Sequence, residues 1–316
     1  MKRSTLFIAA LVFALSASQA LAAQNWNFSI GTSTLGGTMQ IMATPLSKLI
    51  TDKIPNAYAS VQNTPGPQAN LQLMEAGEMD IAFCSGPVIY EALTGTGWAN
   101  GTVYKDFRTI LVVYPSYFEL VATVGKGIDN VRDMQDKRVH TSIPGTTPDI
   151  ALKAVAEIIG LTFKEKHPIN TGPASDMLRD GRLDVVSCAM GIPTPFIMDL
   201  QATNNVHLLQ MDEADMKAVS AKYPYLAPTQ IPANTYKNQP DPINTFALWN
   251  VVIVHKDLPD DLVYEITKVC LENLQDFAAA AAVGRDFKAE NIAHAVGPVH
   301  PGAARYYKEA GIAVPE

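Results

Sequence analysis

Thr32-Ser33-Thr34-Leu35-Gly36-Gly37-Thr38 and Thr141-Ser142-Ile143-Pro144-Gly145-Thr146-Thr147 share the pattern T-S-x-x-G-x-T. Two more echoes follow in the same order. Asn63-Thr64-Pro65-Gly66-Pro67 is matched by Asn170-Thr171-Gly172-Pro173, and Leu73-Met74-Glu75-Ala76-Gly77-Glu78-Met79-Asp80-Ile81 by Met177-Leu178-Arg179-Asp180-Gly181-Arg182-Leu183-Asp184-Val185. The spacings, from 32 to 141, 63 to 170 and 73 to 177, are 109, 107 and 104 residues. Three motifs repeated in register imply two lobes built on one plan. Two such lobes imply a cleft, the usual seat of a small ligand.

Around the first echo the pattern is α/β. Trp26, Phe28 and Ile30 alternate with Asn27 and Ser29, as in a strand. Met39, Met42, Leu46, Leu49 and Ile50 fall at helical spacing, with Pro45 expected to kink that helix or delay its start. Residues 57–62 read as a strand, Pro67 opens a helix that stops at Gly77, and 80–84 read as a strand. The second echo repeats this: strand 137–141, helix 147–159 closed by Gly160, strand 164–170, helix 174–180 and strand 184–189. Alternating strands and helices with short connections predict parallel sheets. Two long apolar segments, 108–124 and 246–255, read as crossover strands, and 262–282 as one helix rich in Leu, Val and Ala.

The N-terminus carries an address. Lys2 and Arg3 precede the apolar run Leu6–Leu15, and Ala20-Leu21-Ala22 has the small-x-small form of a cleavage site. A signal peptide of residues 1–22 is expected, and with it export to the periplasm. The remaining chain divides into lobe 1, 23–117 with 246–316, and lobe 2, 118–245. Of the 316 residues 47% are hydrophobic and 17% charged, with a net charge of −7. An acidic chain without basic blocks is a poor nucleic-acid binder. Cys84, Cys188 and Cys270 are odd in number, and buried thiols are the expected state.

Ligands of open parallel sheets bind beyond the carboxyl ends of the strands. Thr32, Ser33, Gly37, Thr38, Ser142, Gly145, Thr146 and Thr147 fall at such ends, each set just before a helix. Glycine lets backbone approach a ligand, threonine offers a hydroxyl, and a helix N-terminus favours an anion. Gln68 and Asn70 flank the second strand–helix turn, Ser85 follows the third strand, and Gly191 follows the strand 184–189. Tyr114, at the first crossover, completes the candidate ligand set; the alternative role for the threonines is helix capping. A ligand carboxylate met by hydroxyl and backbone donors is expected. Enzyme signatures are thin. Gly31–Gly36 has one residue too many for a nucleophile elbow, and the loop lacks the Lys of a P-loop. The six histidines show no metal-ligand spacing. No catalytic residue, metal or cofactor is expected; Arg108, Arg138, Arg179 and Arg182 could neutralise an anion, with salt bridges the default role of Arg179 and Arg182, which end a helix.

The ordered series Ile30-Gly31-Thr32, Gly36-Gly37-Thr38, Gly66–Leu71, Glu75–Asp80, Val113-Tyr114-Pro115, Pro144–Thr147, Ile231-Pro232-Ala233-Asn234-Thr235-Tyr236 with Gln239, Glu272-Asn273-Leu274 and His300–Ala303 resembles the TAXI-type solute-binding proteins of TRAP transporters. The resemblance implies an α/β, two-lobed periplasmic-binding-protein-like fold (type II). It further implies a monomeric periplasmic receptor that delivers a small organic acid or amino acid to TRAP permease subunits. Three departures stand out. Met39-Gln40 replaces the family's aromatic pair, Asn234 stands for a usual Gly, and Thr147-Pro148 replaces Gly-Thr. A receptor for an ABC importer or a sensor partner, and an enzyme on the same scaffold, are the competing readings.

Overall fold

The computed structural model describes residues 25–33, 35 and 37–315. The expected leader at 1–22, and Thr34 and Gly36 of the first turn, lie outside the described residues. The chain groups into unit 1, residues 25–83, 105–112 and 251–315, and unit 2, residues 84–104 and 113–250.

Unit 1 opens with β1 (Trp26–Gly31), whose Phe28 and Ile30 are buried, then α1 (Thr38–Lys53), β2 (Ala57–Gln62), α2 (Pro67–Glu75) and β3 (Ile81–Ser85). β1 pairs in parallel with β2, from Trp26↔Ala57 to Gly31↔Gln62, and with β3 at Ile30↔Ile81 and Gly31↔Ala82. The long β4 (Phe107–Thr123) and β10 (Ile243–His255) are shared by the two units, and the strand order here is β2-β1-β3-β10-β4. Pro45 lies inside α1 without delaying its start, because Met39, Met42, Ala43, Leu46, Leu49 and Ile50 bury one continuous face. The segment read as one helix over 262–282 is two, with α8 (Asp260–Leu271) ending where the Asn273 side chain donates to Val269 O at 2.7 Å. A shorter α9 (Leu274–Ala280) follows, and α10 (Pro301–Glu309) packs on α8.

Unit 2 holds α3 (Gly86–Thr94), β5 (Arg138–His140), α4 (Thr147–Ile159), β6 (Glu165–His167), α5 (Thr171–Arg179) and β7 (Val185–Met190). It adds α6 (Pro195–Thr203), β8 (Val206–Leu208), α7 (Glu213–Lys222) and β9 (Ala227–Ile231). The order is β10-β4-β7-β5-β6, with β8 on β4 and β9 on β10. β5 pairs in parallel with β6 and β7, and β7 runs antiparallel to β4. Helix α3 packs on α4 within this unit, and its Tyr90 ring lies 5.0 Å from that of Tyr225. Four helices absent from the sequence reading, α3, α6, α7 and α10, are short; three of them carry Pro in the first turn.

The duplication extends to hydrogen-bond detail. Ile30↔Ile81 in unit 1 corresponds to Val139↔Val185 in unit 2. The third echo is a helix stop in both. Gly77 N donates to Met74 O at 3.0 Å and Glu78 N to Leu73 O at 2.9 Å, while Gly181 N donates to Leu178 O at 3.1 Å and Arg182 N to Met177 O at 2.8 Å. This is the Schellman pattern, and it needs a left-handed residue: φ is +72° at Gly77 and +68° at Gly181. A Cβ would meet nothing within 4 Å at either position. Gly77→Ala and Gly181→Ala should therefore each cost ~1 kcal/mol from backbone strain alone. Urea unfolding checks this; a cost near zero at both sites would remove the helix-stop account.

Candidate functional site

The carboxyl ends of the strands in each unit are gathered by one buried polar side chain. In unit 1 it is Asn70, on the first turns of α2. Its Nδ2 donates to Thr32 O and to Phe83 O, both at 2.8 Å, and its Oδ1 accepts from Thr64 Oγ1 at 2.7 Å. Thr32 Oγ1 in turn donates to Gln62 O at 2.9 Å. These bonds commit both Asn70 amide hydrogens and the Thr32 hydroxyl inside the protein. Gly31 is required beside them, since a Cβ there would lie 2.2 Å from Met79 Sδ and 2.8 Å from Asn70 Oδ1. Ser33, Thr38 and Gln68 are half-buried, and no side-chain hydrogen bond occupies them among the described residues. Gly37 is the N-cap of α1 without a side-chain cap bond, so Thr38 does not act as a cap.

In unit 2 the gathering group is His140, which the sequence reading passed over. It is fully buried; Nδ1 lies 3.0 Å from Ser187 O and Nε2 2.8 Å from Ile169 O. A neutral imidazole has one N–H, so only one of these contacts is a hydrogen bond unless the ring is charged. Burial pushes the pKa of His140 down, and the two carbonyls act in the opposite sense.

The loop after His140 carries the second T-S-x-x-G-x-T. Ser142 is buried at φ +63°, a left-handed conformation uncommon for serine. Thr146 Oγ1 lies 2.6 Å from Ile143 O and 3.1 Å from Ser142 Oγ. Gly145, at φ +79°, donates its N–H to Asp149 Oδ2 at 2.9 Å. Thr147 Oγ1 lies 2.9 Å from Ser85 Oγ, and α4 has no side-chain cap bond. The capping alternative therefore fails for Thr146 and Thr147. Asp149, in the first turn of α4, puts a buried carboxylate at the helix N-terminus, where Lys153 pairs with it at 2.7 Å. The positive end of α4 is thus already answered. Pro148, which replaces Thr in the resembled pattern, occupies the first turn, where its missing N–H costs little.

Tyr114 is 2% exposed, and its phenol oxygen has no hydrogen-bond partner among the described residues. Burial raises its pKa, so the phenol stays protonated and able to donate. Beside it Asn250 Nδ2 donates to Ser116 Oγ at 2.8 Å and to Tyr114 O at 3.2 Å. Neither Ser116 nor Asn250 was singled out from the sequence, though Asn250 interrupts the apolar run 246–254. Gly191 precedes the cis peptide Ile192–Pro193, and its carbonyl lies 3.3 Å from Thr194 Oγ1.

That Thr194 belongs to a second buried cluster. Glu119, 1% exposed on β4, accepts from Thr194 Oγ1 at 2.5 Å, from Cys188 Sγ at 3.5 Å and from the Tyr236 hydroxyl; Tyr236 OH also accepts Thr194 N at 2.8 Å. Burial pushes Glu119 up to about 7 against these three donors. A charged residue inside the apolar run 110–122 was the available sequence signal. Cys84, Cys188 and Cys270 are free and buried, and Arg138, Arg179 and Arg182 form ion pairs with Asp184, Asp176 with Asp199, and Asp180.

The sequence profile of the NMT1-like family matches residues 30–311. The chain belongs to the NMT1-like family. Among solved structures it is similar to the periplasmic aliphatic sulphonate binding protein SsuA from Escherichia coli, with 14% identity, 91% of each chain covered and a TM-score of 0.50. It is also similar to the periplasmic binding protein BugD (12% identity, 92% of this chain and 99% of that one, TM-score 0.52). A third is described as a putative L-cystine ABC transporter from Listeria monocytogenes (17% identity, 83% and 98% covered, TM-score 0.51). These likenesses show the fold: α/β, periplasmic-binding-protein-like, with two parallel-sheet lobes. The NMT1-like chain keeps an αL residue where the TAXI resemblance expects Gly, since Asn234 has φ +62° and asparagine tolerates that region.

Glu119 gives a signed pH prediction. Its folded pKa lies above the ordinary 4.5, so the stability it supports is complete below pH 4.5 and is lost as pH rises through about 7. The difference corresponds to ~3 kcal/mol. Glu119→Gln should flatten the stability profile between pH 4.5 and 7, read by denaturant unfolding at several pH values. An unchanged profile would show that the carboxylate is not the titrating group.

Proposed function

We propose that this NMT1-like chain is a periplasmic solute receptor of the TAXI type, built of lobes 23–117 with 246–316 and 118–245, which captures a small organic acid or amino acid. It then delivers that ligand to TRAP permease subunits. The observation that carries the reading is the buried Tyr114 phenol, unpartnered and protonated, in a unit whose other strand-end groups are the neutral hydroxyls Ser85, Ser142 and Thr147. Such a set supplies donors to a carboxylate without a competing counter-ion. The family, the leader-like N-terminus and the fold support a binding role over a catalytic one. Ser33, Gly37, Thr38, Gln68, Gly145, Thr146 and Gly191 remain proposed contacts. Asp149 answers the α4 dipole, so at that loop hydroxyls rather than the helix end would meet the ligand.

Binding of dicarboxylates, keto acids and amino acids is tested by thermal shift. Saturation at 100 times the Kd stabilises a fold by ~2.7 kcal/mol, several degrees in Tm for a chain of this size. Thr147→Val keeps the side-chain shape and removes the hydroxyl. A lost hydrogen bond to a charged acceptor weakens binding by about tenfold to a hundredfold. Calorimetric titration of the best acid should show that loss while the unliganded melt moves little. Preference for cations or uncharged sugars would refute the carboxylate reading, and wild-type affinity in Thr147→Val would remove that residue from the site.

A further inference from the structure

A recess lies in unit 2, between α4 and the edge strand β6. It encloses about 360 Å³, within the range of small-ligand pockets. Leu152, Ala156, Leu161 and Phe163 form its apolar wall, and Lys153 and Lys166 bring two ammonium groups to it. On α4, Asp149, Leu152, Lys153 and Ala156 recur at i, i+3, i+4 and i+7, so one helix face supplies four of the ten lining residues. The two cations differ. Lys153 is held on Asp149 at 2.7 Å, whereas Lys166 has no ion-pair partner among the described residues. Glu165, its neighbour on β6, is turned to His167 at 3.3 Å instead.

We propose that this recess binds a compact amphiphilic carboxylate, an aromatic or short aliphatic acid whose apolar body lies on Leu152, Ala156 and Phe163 while its carboxylate meets Lys166. The charge selects an anion: an apolar floor alone would accept any small hydrophobe, and a cation would face Lys166 beside a Lys153–Asp149 pair of no net charge. The site communicates with the second T-S-x-x-G-x-T loop through one atom. Asp149 Oδ2 accepts both the Lys153 ammonium and the Gly145 N–H, so an anion that draws on Lys153 alters the bond holding that loop. The inference stands apart from the receptor reading: the acid is held by Leu152, Ala156, Phe163 and Lys166, none of them a proposed contact of the captured solute, and Gly145, which is one, only reports the coupling.

The test uses the whole chain and four probes: benzoate, hexanoate, benzamide and benzylamine. Amide spectra should show saturable shifts at Ala156, Leu161, Lys166 and Gly145 with both acids. Benzamide should bind at least about fivefold more weakly, and benzylamine should give no saturable shift. Lys166→Glu, an exposed edge-strand change, should weaken benzoate by about tenfold. Ala156→Trp should fill the recess and abolish the shifts; its own spectrum reports whether it folds, and Lys166→Glu decides the matter if it does not. Thr147→Val should leave benzoate binding unchanged, which separates this site from the proposed solute site. Equal affinity for benzoate and benzamide, or wild-type affinity in Lys166→Glu, would overturn the proposal.

Discussion

Parallel strands that end together leave a row of carbonyl groups pointing past the sheet, and the rest of this structure depends on how those carbonyls are satisfied. An unpaired buried carbonyl costs a large part of a hydrogen bond, so each unit spends one buried polar side chain on them. The solutions are convergent. Asn70 reaches Phe83 O from helix α2, and His140 reaches the equivalent Ser187 O from strand β5. Unit 1 has Gly31 at the position that His140 fills, because the Met79 and Asn70 side chains already occupy that space. The duplication thus preserves the carbonyls that need partners while exchanging the residue that partners them.

This explains what the sequence showed and what it hid. The Gly77 and Gly181 echoes were legible because a helix stop of this type needs a residue at positive φ, and glycine advertises it. The strand spacing was legible because register follows the apolar pattern, and Ile30↔Ile81 and Val139↔Val185 obey it. The roles of Thr32 and Asn70 were not. A sequence identifies polar residues at strand ends but does not say whether their hydrogens point inward or toward a ligand. Asn70 points inward twice. Tyr114 shows the opposite case: a residue embedded in an apolar strand pattern whose phenol remains unspent.

Buried acids were the least legible feature. Glu119 and Asp149 sit in segments that read as ordinary strand and helix, yet both are almost wholly buried. They resolve the cost of burial differently. Asp149 has a full counter-charge in Lys153, whereas Glu119 has only neutral donors from Thr194, Tyr236 and Cys188, and its pKa rises accordingly. Through Thr194, whose hydroxyl lies between Glu119 and Gly191 O, the protonation of Glu119 bears on the turn after β7. Ionised Glu119 holds the Thr194 hydrogen; protonated Glu119 can release it toward the Gly191 carbonyl.

Neutral donors also fit the charge of the whole chain. With a net charge of −7, the long-range field repels anions, and no cluster of Lys or Arg at the proposed contacts reverses it locally. Under the receptor proposal, capture of a carboxylate would rest on short, desolvated bonds from hydroxyls and backbone N–H groups, which act only at contact and are little screened by salt. Fast, salt-sensitive steering is given up. What is gained is discrimination: a phenol and hydroxyls fixed by packing accept a charged oxygen only where its geometry suits them. The proposed Lys166 recess would work the other way, with an exposed cation attracting from a distance and an apolar floor selecting by shape. The Asp149 carboxylate, which accepts from both Gly145 and Lys153, is where the two proposed arrangements would meet.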